Sequence, residues 1–228
     1  TYSISGTDAS LISLDTSSGE LIFNTAPDYE VKNSYVVVIT AAGSIANTDQ
    51  ALRININNLN DNTPVVSSGA TLSGDENQTA IGTVTGSDAD GDSLSFTISA
   101  SELAITSSGV LTFISAPDYE TTTSYSGTVT VTDGLTSSDQ DITVNVNNLN
   151  DNAPVITSDA AFSADEGQTA IGTVTGSDAD GDSLSFTVSG SELSITTAGV
   201  LTFTPAPDYE TKTSYTATVT STDGVNSI

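Results

Sequence analysis

Residues 58–65 read NLNDNTPV, and residues 148–155 read NLNDNAPV. These stretches begin 90 residues apart, and the same spacing separates SDADGD at Ser87 and Ser177 and PDYE at Pro27, Pro117 and Pro207. A fixed period is typical of a repeat architecture. The sequence therefore predicts three units: residues 1–62, a partial repeat without its first strands; residues 63–152, a complete repeat; and residues 153–228, a partial repeat without its last strand.

Within each unit, short stretches alternate apolar and polar residues with a period of two. Leu94-Phe96-Ile98 and Ile142-Val144-Val146 are examples, and clusters of Gly, Asp, Asn and Pro separate such stretches. This pattern is typical of half-buried strands, and no stretch has helical spacing. We therefore predict an all-β fold: tandem Greek-key β-sandwich domains of the cadherin/immunoglobulin-like kind, with about seven strands each, arranged as a rod.

The composition excludes several kinds of chemistry. The chain carries 29 acidic residues against three basic ones, a net charge of −26, and has no His, Cys, Met or Trp. Ser-His-Asp and Cys-His catalysis and the usual tetrahedral zinc sites are excluded, and we expect no enzymatic activity. So few basic residues provide no surface for nucleic acid, and no apolar run is long enough for membrane insertion. Cations are the expected partners.

The acidic residues are concentrated at the ends of the predicted strands. In a sandwich the strands run between two poles, so these acids gather where one repeat meets the next. Two carboxylates ~5 Å apart repel by about 0.8 kcal/mol in water, and by more at lower dielectric. A cation would offset this cost. Calcium takes six to eight oxygen ligands from carboxylates, amides and main-chain carbonyls, which are the groups this chain offers.

Five motifs in order resemble those of cadherin repeats, and more closely the bacterial cadherin-like repeats of large surface adhesins and secreted multidomain proteins. NLNDNTPV and NLNDNAPV resemble the linker DxNDNxP, and PDYE resembles LDRE. GSDADGD resembles the D-x-D motif, VTVTDG the late-strand A-x-D, and DENQT the early P-E-N. The resemblance covers the whole chain and implies Ca²⁺, two or three ions at each joint between repeats.

The resemblance also implies which residues hold these ions. At the joint between the second and third units the side chains would be Glu76, Asp118, Glu120, Asn150, Asp151, Asp178, Asp180 and Asp223, with the main-chain carbonyls of Leu149 and Asn152. At the joint between the first and second units they would be Asp28, Glu30, Asn60, Asp61, Asp88, Asp90 and Asp133, with the carbonyls of Leu59 and Asn62. Glu166, Asp208 and Glu210 would form half of a third joint.

The chain departs from the cadherin pattern at several positions. The first linker residue is Asn58 or Asn148 instead of Asp, and Gly43 replaces the A-x-D aspartate of the first unit. The loop after D-x-D is shorter than in vertebrate cadherins, which bears on the main-chain ligand that the family has there. These departures leave two ions at a joint as an alternative to three.

Other interpretations of the same residues are weaker. SDADGD resembles the opening of an EF-hand, but Ser93 and Ser99 replace the required Gly and Glu. Asn77-Gln78-Thr79 matches a glycosylation sequon, yet its counterpart in the third unit is Gly167. Asp118 and Glu120 lack the aromatic platform of a glycosidase. Tyr29, Tyr119 and Tyr209 are candidates for sugar stacking or for packing at the joints, and Tyr35, Tyr125 and Tyr215 are expected in the cores.

We therefore predict a calcium-rigidified extracellular repeat that extends a bacterial surface adhesin or matrix protein. Its partners are calcium, neighbouring repeats of the same parent chain, and other copies in homotypic or head-to-tail assembly. Two alternatives stay open: a filament-forming structural protein that assembles by strand addition between chains, and a carbohydrate-binding module of a secreted enzyme.

Overall fold

The computed structural model describes residues 1–228, and nearly all of its regular structure is β. The one helical element is a short 3₁₀ turn at Ala9–Leu11. None of the chain's helical structure has the length and apolar character needed to cross a lipid bilayer. The predicted all-β class is confirmed. Residues 1–62, 63–152 and 153–228 are called the first, middle and last repeats below, and the linkers at 58–63 and 148–153 mark the first and second joints.

The middle repeat is a two-layer sandwich. Its strands are β6 (Val65–Val66), β7 (Thr71–Asp75), β8 (Ala80–Thr83), β9 (Gly86–Ser87), β10 (Ser95–Ile98), β11 (Leu103–Ile105), β12 (Val110–Phe113), β13 (Ser124–Thr132) and β14 (Ser137–Asn147). One sheet has the order β10-β13-β14-β7, in which β7 and β14 are parallel. The other has the order β11-β12-β8, and β6 pairs with β9.

This repeat has nine strands instead of the predicted seven or so, because two strands are broken. The first strand pairs with β9 over Val65–Val66 and then crosses to pair with β14 over Thr71–Asp75. At the crossing, the N–H groups of Ser67 and Ser68 both bond to the carbonyl of Thr85. The second strand is interrupted at the same level, between β8 and β9. Both breaks occur where a strand changes from one sheet to the other. Such a change hardly alters the alternation of apolar and polar residues.

The core of the middle repeat lies between the two sheets. Its ten buried members are Val84, Phe96, Leu103, Leu111, Phe113, Val129, Val131, Ile142, Val144 and Val146. On β14 the buried positions alternate with exposed ones, as the period of two predicts. The Tyr125 ring packs edge-on against Phe113 at 5.5 Å between centroids, and Tyr35 and Tyr215 pack in the same way against Phe23 and Phe203. Each of the three tyrosines therefore packs against a phenylalanine of its own repeat.

The first repeat has five strands: β1 (Tyr2–Ser5), β2 (Ile12–Leu14), β3 (Leu21–Phe23), β4 (Ser34–Ala42) and β5 (Asn47–Asn55). They form the sheets β1-β4-β5 and β2-β3. The insertion at residues 8–13 is anchored by Asp8, which is 5% exposed. Its carboxylate accepts the N–H of Val36 at 2.7 Å and pairs with the Lys32 ammonium. This ion pair, in which Asp8 is buried and Lys32 is partly exposed, holds the inserted segment against β4.

The last repeat follows the plan of the middle one with seven strands instead of nine. Its strands are β15 (Val155–Ile156), β16 (Ala170–Thr173), β17 (Gly176–Ser177), β18 (Ser185–Val188), β19 (Leu193–Ile195), β20 (Val200–Phe203) and β21 (Val219–Thr222). Residues 161–165, the counterparts of β7, form no strand. In the middle repeat β7 pairs only with β14, and no segment of residues 153–228 takes the place of β14.

Candidate metal centre

The second joint brings together acids from the middle repeat, the linker and the last repeat. Glu76, Asp118 and Glu120 each present a carboxylate oxygen within 4.8 Å of the other two. Glu120, Asp151 and Asp180 form a second group with the same spacing. Because Glu120 belongs to both groups, the acids form one continuous cluster across the joint. This is the convergence that the strand-end positions of the acids predict.

Glu76 is held at the centre of the second joint by main-chain donors. It follows β7 directly and is only 1% exposed. Its Oε2 accepts the N–H of Tyr119 at 2.8 Å, and its Oε1 accepts the N–H of Leu149 at 2.7 Å. One carboxylate thus ties the PDYE loop to the linker, without a basic side chain as partner.

Asp180 is the corresponding anchor on the last repeat. Its Oδ2 accepts the N–H groups of Asp151 at 3.1 Å and Asn152 at 2.9 Å, and its Oδ1 accepts the side-chain amide of Asn152 at 2.8 Å. The side-chain amide of Asn152 and these backbone donors lower the pKa of Asp180. The pKa of Glu120 is raised, by burial and then by the negative charges of Glu76 and Asp180. Glu120 and Asp180 are therefore too close to ionise together easily without a cation.

The first joint reproduces this geometry. Glu30, Asp61 and Asp90 present oxygens within 4.8 Å of one another. Asp90 accepts the N–H groups of Asp61 at 3.1 Å and Asn62 at 2.8 Å, and the Asn62 amide at 2.9 Å. Burial and the neighbouring Asp90 raise the pKa of Glu30, whereas hydrogen bonds from Asn62 and Asp61 outweigh burial and lower that of Asp90. No residue of the first repeat takes the role of Glu76.

The half-joint of the last repeat is more open. Glu166, Asp208 and Glu210 also lie within 4.8 Å of one another, but all three are exposed. Glu166 Oε2 accepts the N–H of Tyr209 at 2.9 Å, as Glu76 does from Tyr119. Glu76 differs in that its Oε1 also accepts the N–H of the linker residue Leu149.

The joints fit a hard cation. The chain's two ion pairs, Lys32–Asp8 and Lys212–Glu192, lie outside the acidic groups, and Arg53 bonds to Asn55 and Ser34. Three oxygens of predicted ligands are buried without any hydrogen-bond partner: Asn60 Oδ1, Asp88 Oδ2 and Asp178 Oδ2. A buried oxygen without a donor is costly, so a positive ion at these positions would remove a penalty. The donors are carboxylate and amide oxygens, which suit calcium.

The remaining predicted ligands, together with Asp118, accept hydrogen bonds from their own loops. Asp28 and Asp118 accept N–H groups of their own loops, from Val31 and Thr121. The main-chain carbonyls of Leu59 and Leu149 accept the N–H groups of Asp61 and Asp151, both at 3.1 Å. Asp133 and Asp223 accept N–H groups from their hairpin loops, at 2.6 to 2.7 Å. The hairpin hydrogen bonds lower the pKa of Asp133, and at Asp223 they do so against the opposing effect of burial.

Asn226 is a contact that the sequence did not predict. Its amide nitrogen lies 2.8 Å from Asn150 Oδ1, 3.1 Å from the carbonyl of Asn152 and 3.3 Å from Asp223 Oδ2. Three predicted ligand oxygens of the second joint thus share one amide. At the first joint the same place is taken by Thr136, whose hydroxyl bonds to Asp133 and to the carbonyl of Asn62. The two joints therefore differ on the side of the following repeat.

The structure describes the surroundings of SDADGD and of the Asn77 sequon. SDADGD lies between strands β9 and β10, and between β17 and β18, so it has no EF-hand helices. Asn77 has a positive φ of 62°, and Gly167 has 75° at the same position. Asn and Gly are the residues that favour this backbone region, which gives the Asn77 position a conformational reason. The Asn77 amide bonds to Asp151 at the second joint.

The PDYE tyrosines differ in their surroundings. Tyr119 packs against the core of the middle repeat, and Tyr29 is half-buried. Tyr209 is 63% exposed. The ring of Tyr119 is therefore not a free platform for a sugar, and the three tyrosines do not form a uniform row of exposed rings along the chain.

The chain is similar in structure to cadherin ectodomains. It matches protocadherin gamma B2 extracellular cadherin domains 3-6 at 21% identity and a TM-score of 0.77, over 100% of this chain and 65% of that one. It matches the human desmocollin-1 ectodomain at 20% and 0.78, over 97% and 50%. It matches mouse cadherin-23 EC22-24 at 21% and 0.63, over 98% and 80%. The chain thus spans one half to two thirds of the first two structures.

A family model described as "Bacterial Ig domain" matches residues 150–228. Together with the structural matches, it confirms the predicted resemblance at the level of the fold: the chain consists of tandem cadherin-like β-sandwich repeats.

Proposed function

We propose that this chain is a calcium-stiffened extender from an extracellular bacterial adhesin or matrix protein. The observation that carries the proposal is the second joint, where Glu76, Glu120 and Asp180 belong to one acidic cluster that spans two repeats and their linker. The cluster contains no basic side chain, and predicted ligand oxygens at both joints are buried without a donor.

The mechanism is electrostatic crosslinking. Without calcium, carboxylates of adjacent repeats repel one another by about 0.8 kcal/mol per pair at ~5 Å in water, and by more where water is excluded. Calcium ions that share ligands from both repeats and the linker replace this repulsion with attraction. Since the complete ligand set exists only when the repeats are folded and aligned, the free energy of binding stabilises that alignment.

Several features support an extracellular location. Calcium sites of extracellular modules bind at about 10⁻⁴ to 10⁻³ M, concentrations that the cytosol does not reach. The resemblance to cadherins and to bacterial immunoglobulin-like domains favours the same location. Neighbouring repeats of the parent protein are the expected structural partners.

Isothermal titration calorimetry with calcium on the intact chain tests this function. We expect binding of two or three ions at the second joint. Asp118→Ala should weaken that binding while the middle sandwich stays folded, and Asp141→Asn should leave it unchanged. Asp141 is a suitable control because it is an exposed acid in the middle of β14, bonded only to the Thr128 hydroxyl. Absence of binding heat in the unaltered chain would overturn the proposal.

A further inference from the structure

The loop that follows β9 contains Asp92, an acid that the resemblance to the cadherin motifs does not assign to a metal. Asp88, Asp90 and Asp92 each present a carboxylate oxygen within 4.8 Å of the other two. Gly91, between the last two, has a positive φ of 80°, as its counterpart Gly181 has at 83°. The backbone reverses at this glycine, which lets Asp92 return to the side of Asp88.

The hydrogen bonds of the loop leave specific oxygens free. Asp88 Oδ1 accepts the N–H groups of Asp90 at 2.9 Å and Asp92 at 3.4 Å, whereas Asp88 Oδ2 is buried and accepts none. Both oxygens of Asp90 bond to donors of the linker. The Asp92 carboxylate is exposed and accepts no hydrogen bond, so it is the loop's fully available acid.

A second buried oxygen without a partner is found on the linker of the first joint. Asn60 Oδ1, on the linker, is also buried without a hydrogen-bond partner. The arrangement recurs in the last repeat, where Asp178 Oδ1 accepts the N–H groups of Asp180 at 3.0 Å and Asp182 at 3.4 Å. Asp178 Oδ2 is again buried without a partner. Unpaired buried oxygens are rare, because each costs free energy unless a donor or a cation is present.

We propose that Asp92 and Asp182 are direct calcium ligands, each to the ion that Asp88 or Asp178 binds. The Asp92 carboxylate lies within 4.8 Å of Asp88 and accepts no hydrogen bond, so it is free to complete the coordination of an ion at the buried Asp88 Oδ2. This inference rests on the proposed calcium function.

Calorimetric calcium titration of the intact chain tests the assignment at the first joint, with the unaltered second joint as internal reference. Asp92→Ala should weaken the binding of one ion by at least about tenfold, since even groups that only support a metal ligand contribute 10–100-fold. Asp92→Asn keeps a neutral oxygen and should weaken it less. Asp141→Asn removes an equal charge from the middle of the same repeat and should leave every affinity unchanged. Circular dichroism checks that each variant is folded.

The outcomes separate the ligand assignment from the calcium function itself. If the unaltered chain binds calcium and Asp92→Ala binds it equally well, Asp92 is not a ligand, although the proposed function stands. A second outcome is that Asp92→Ala and Asp92→Asn lose the same calcium affinity and that the loss disappears at ~1 M salt, where the Debye length is about 3 Å. The effect would then be long-range charge, and the ligand assignment would be wrong. If the unaltered chain binds no calcium, both the inference and the proposed function fail.

Discussion

Asn148 donates its side-chain amide to the backbone carbonyl of Asp180 at 2.8 Å, and so joins the linker to the last repeat. Asn58 makes the same bond to Asp90 at 2.7 Å at the first joint. The resembling cadherin linkers have Asp at this position, and a carboxylate cannot donate to a carbonyl. The asparagine thus provides a neutral hydrogen bond across the joint that needs no cation and adds no charge to the acidic cluster.

Asn148→Asp should loosen the second joint in the absence of calcium. The substitution replaces a donor by an acceptor and adds a charge, so the loss includes a hydrogen bond worth about 0.5–1.5 kcal/mol and new repulsion. Urea unfolding with excess chelator measures the change. Asn145→Asp is the matched control, because Asn145 is exposed on β14 and its side chain makes no hydrogen bond. Equal stability of the two variants would show that the Asn148 bond contributes nothing.

Glu76→Gln should destabilise the middle repeat even without calcium. Both carboxylate oxygens of Glu76 accept backbone N–H groups, and an amide can accept only one of them. The other N–H is then left unpaired in a buried place, at a cost of about 1–3 kcal/mol. Chemical unfolding in chelator gives the value, with Glu102→Gln as control because Glu102 is exposed. A change that appears only when calcium is present would show that Glu76 acts through the ion alone.

The calcium-free protein should become less stable as the pH rises through the raised pKa of Glu120. A raised pKa means that the folded joint favours the protonated acid, so this contribution is present at low pH and is lost above that pKa, which lies above the ordinary 4.5. Asp180 acts oppositely, because its lowered pKa contributes stability that disappears as the pH falls below 3.8. Thermal unfolding in chelator should show the highest melting temperature between pH 3.8 and pH 4.5, the ordinary pKa values of the two acids.

Calcium binding should release protons at pH values just above 4.5, because Glu120 must ionise to bind the ion. A pH-stat titration measures this release. Glu120→Gln should reduce it, and the remainder should come from Glu30, whose pKa is also raised. Unchanged proton release in Glu120→Gln would show that this residue does not couple calcium to pH.

Asn226→Thr should make calcium binding at the second joint resemble that at the first joint, on the side of the following repeat. The Asn226 amide bonds to three predicted ligand oxygens, and a cation must displace it to reach them. Thr136 occupies the equivalent position at the first joint with a smaller hydroxyl. We expect a higher calcium affinity in the variant by calorimetry. A lower affinity would mean that Asn226 turns its oxygen to the ion and serves as a ligand.

The sequence predicted the fold class and the convergence of acids, because both follow from spacing. A period of two places Ile142, Val144 and Val146 in the core. The strand-end positions and the 90-residue period place PDYE of one repeat, the NLNDN linker and SDADGD of the next repeat at the same joint. The broken first strand was not predicted, because a change of partner sheet does not alter the alternation. The Asn226 contact and the Asn148 bond depend on where side chains of different repeats meet, which no single motif encodes.

The central claim is that calcium aligns the repeats into a rod, and small-angle X-ray scattering tests it most directly. The intact chain is measured with about 1 mM calcium, within the range of extracellular sites, and then with excess chelator. We predict a larger maximum dimension with calcium and a shorter, broader distribution of distances without it. Superimposable scattering curves in the two conditions, from a chain that calorimetry shows to bind calcium, would contradict the claim.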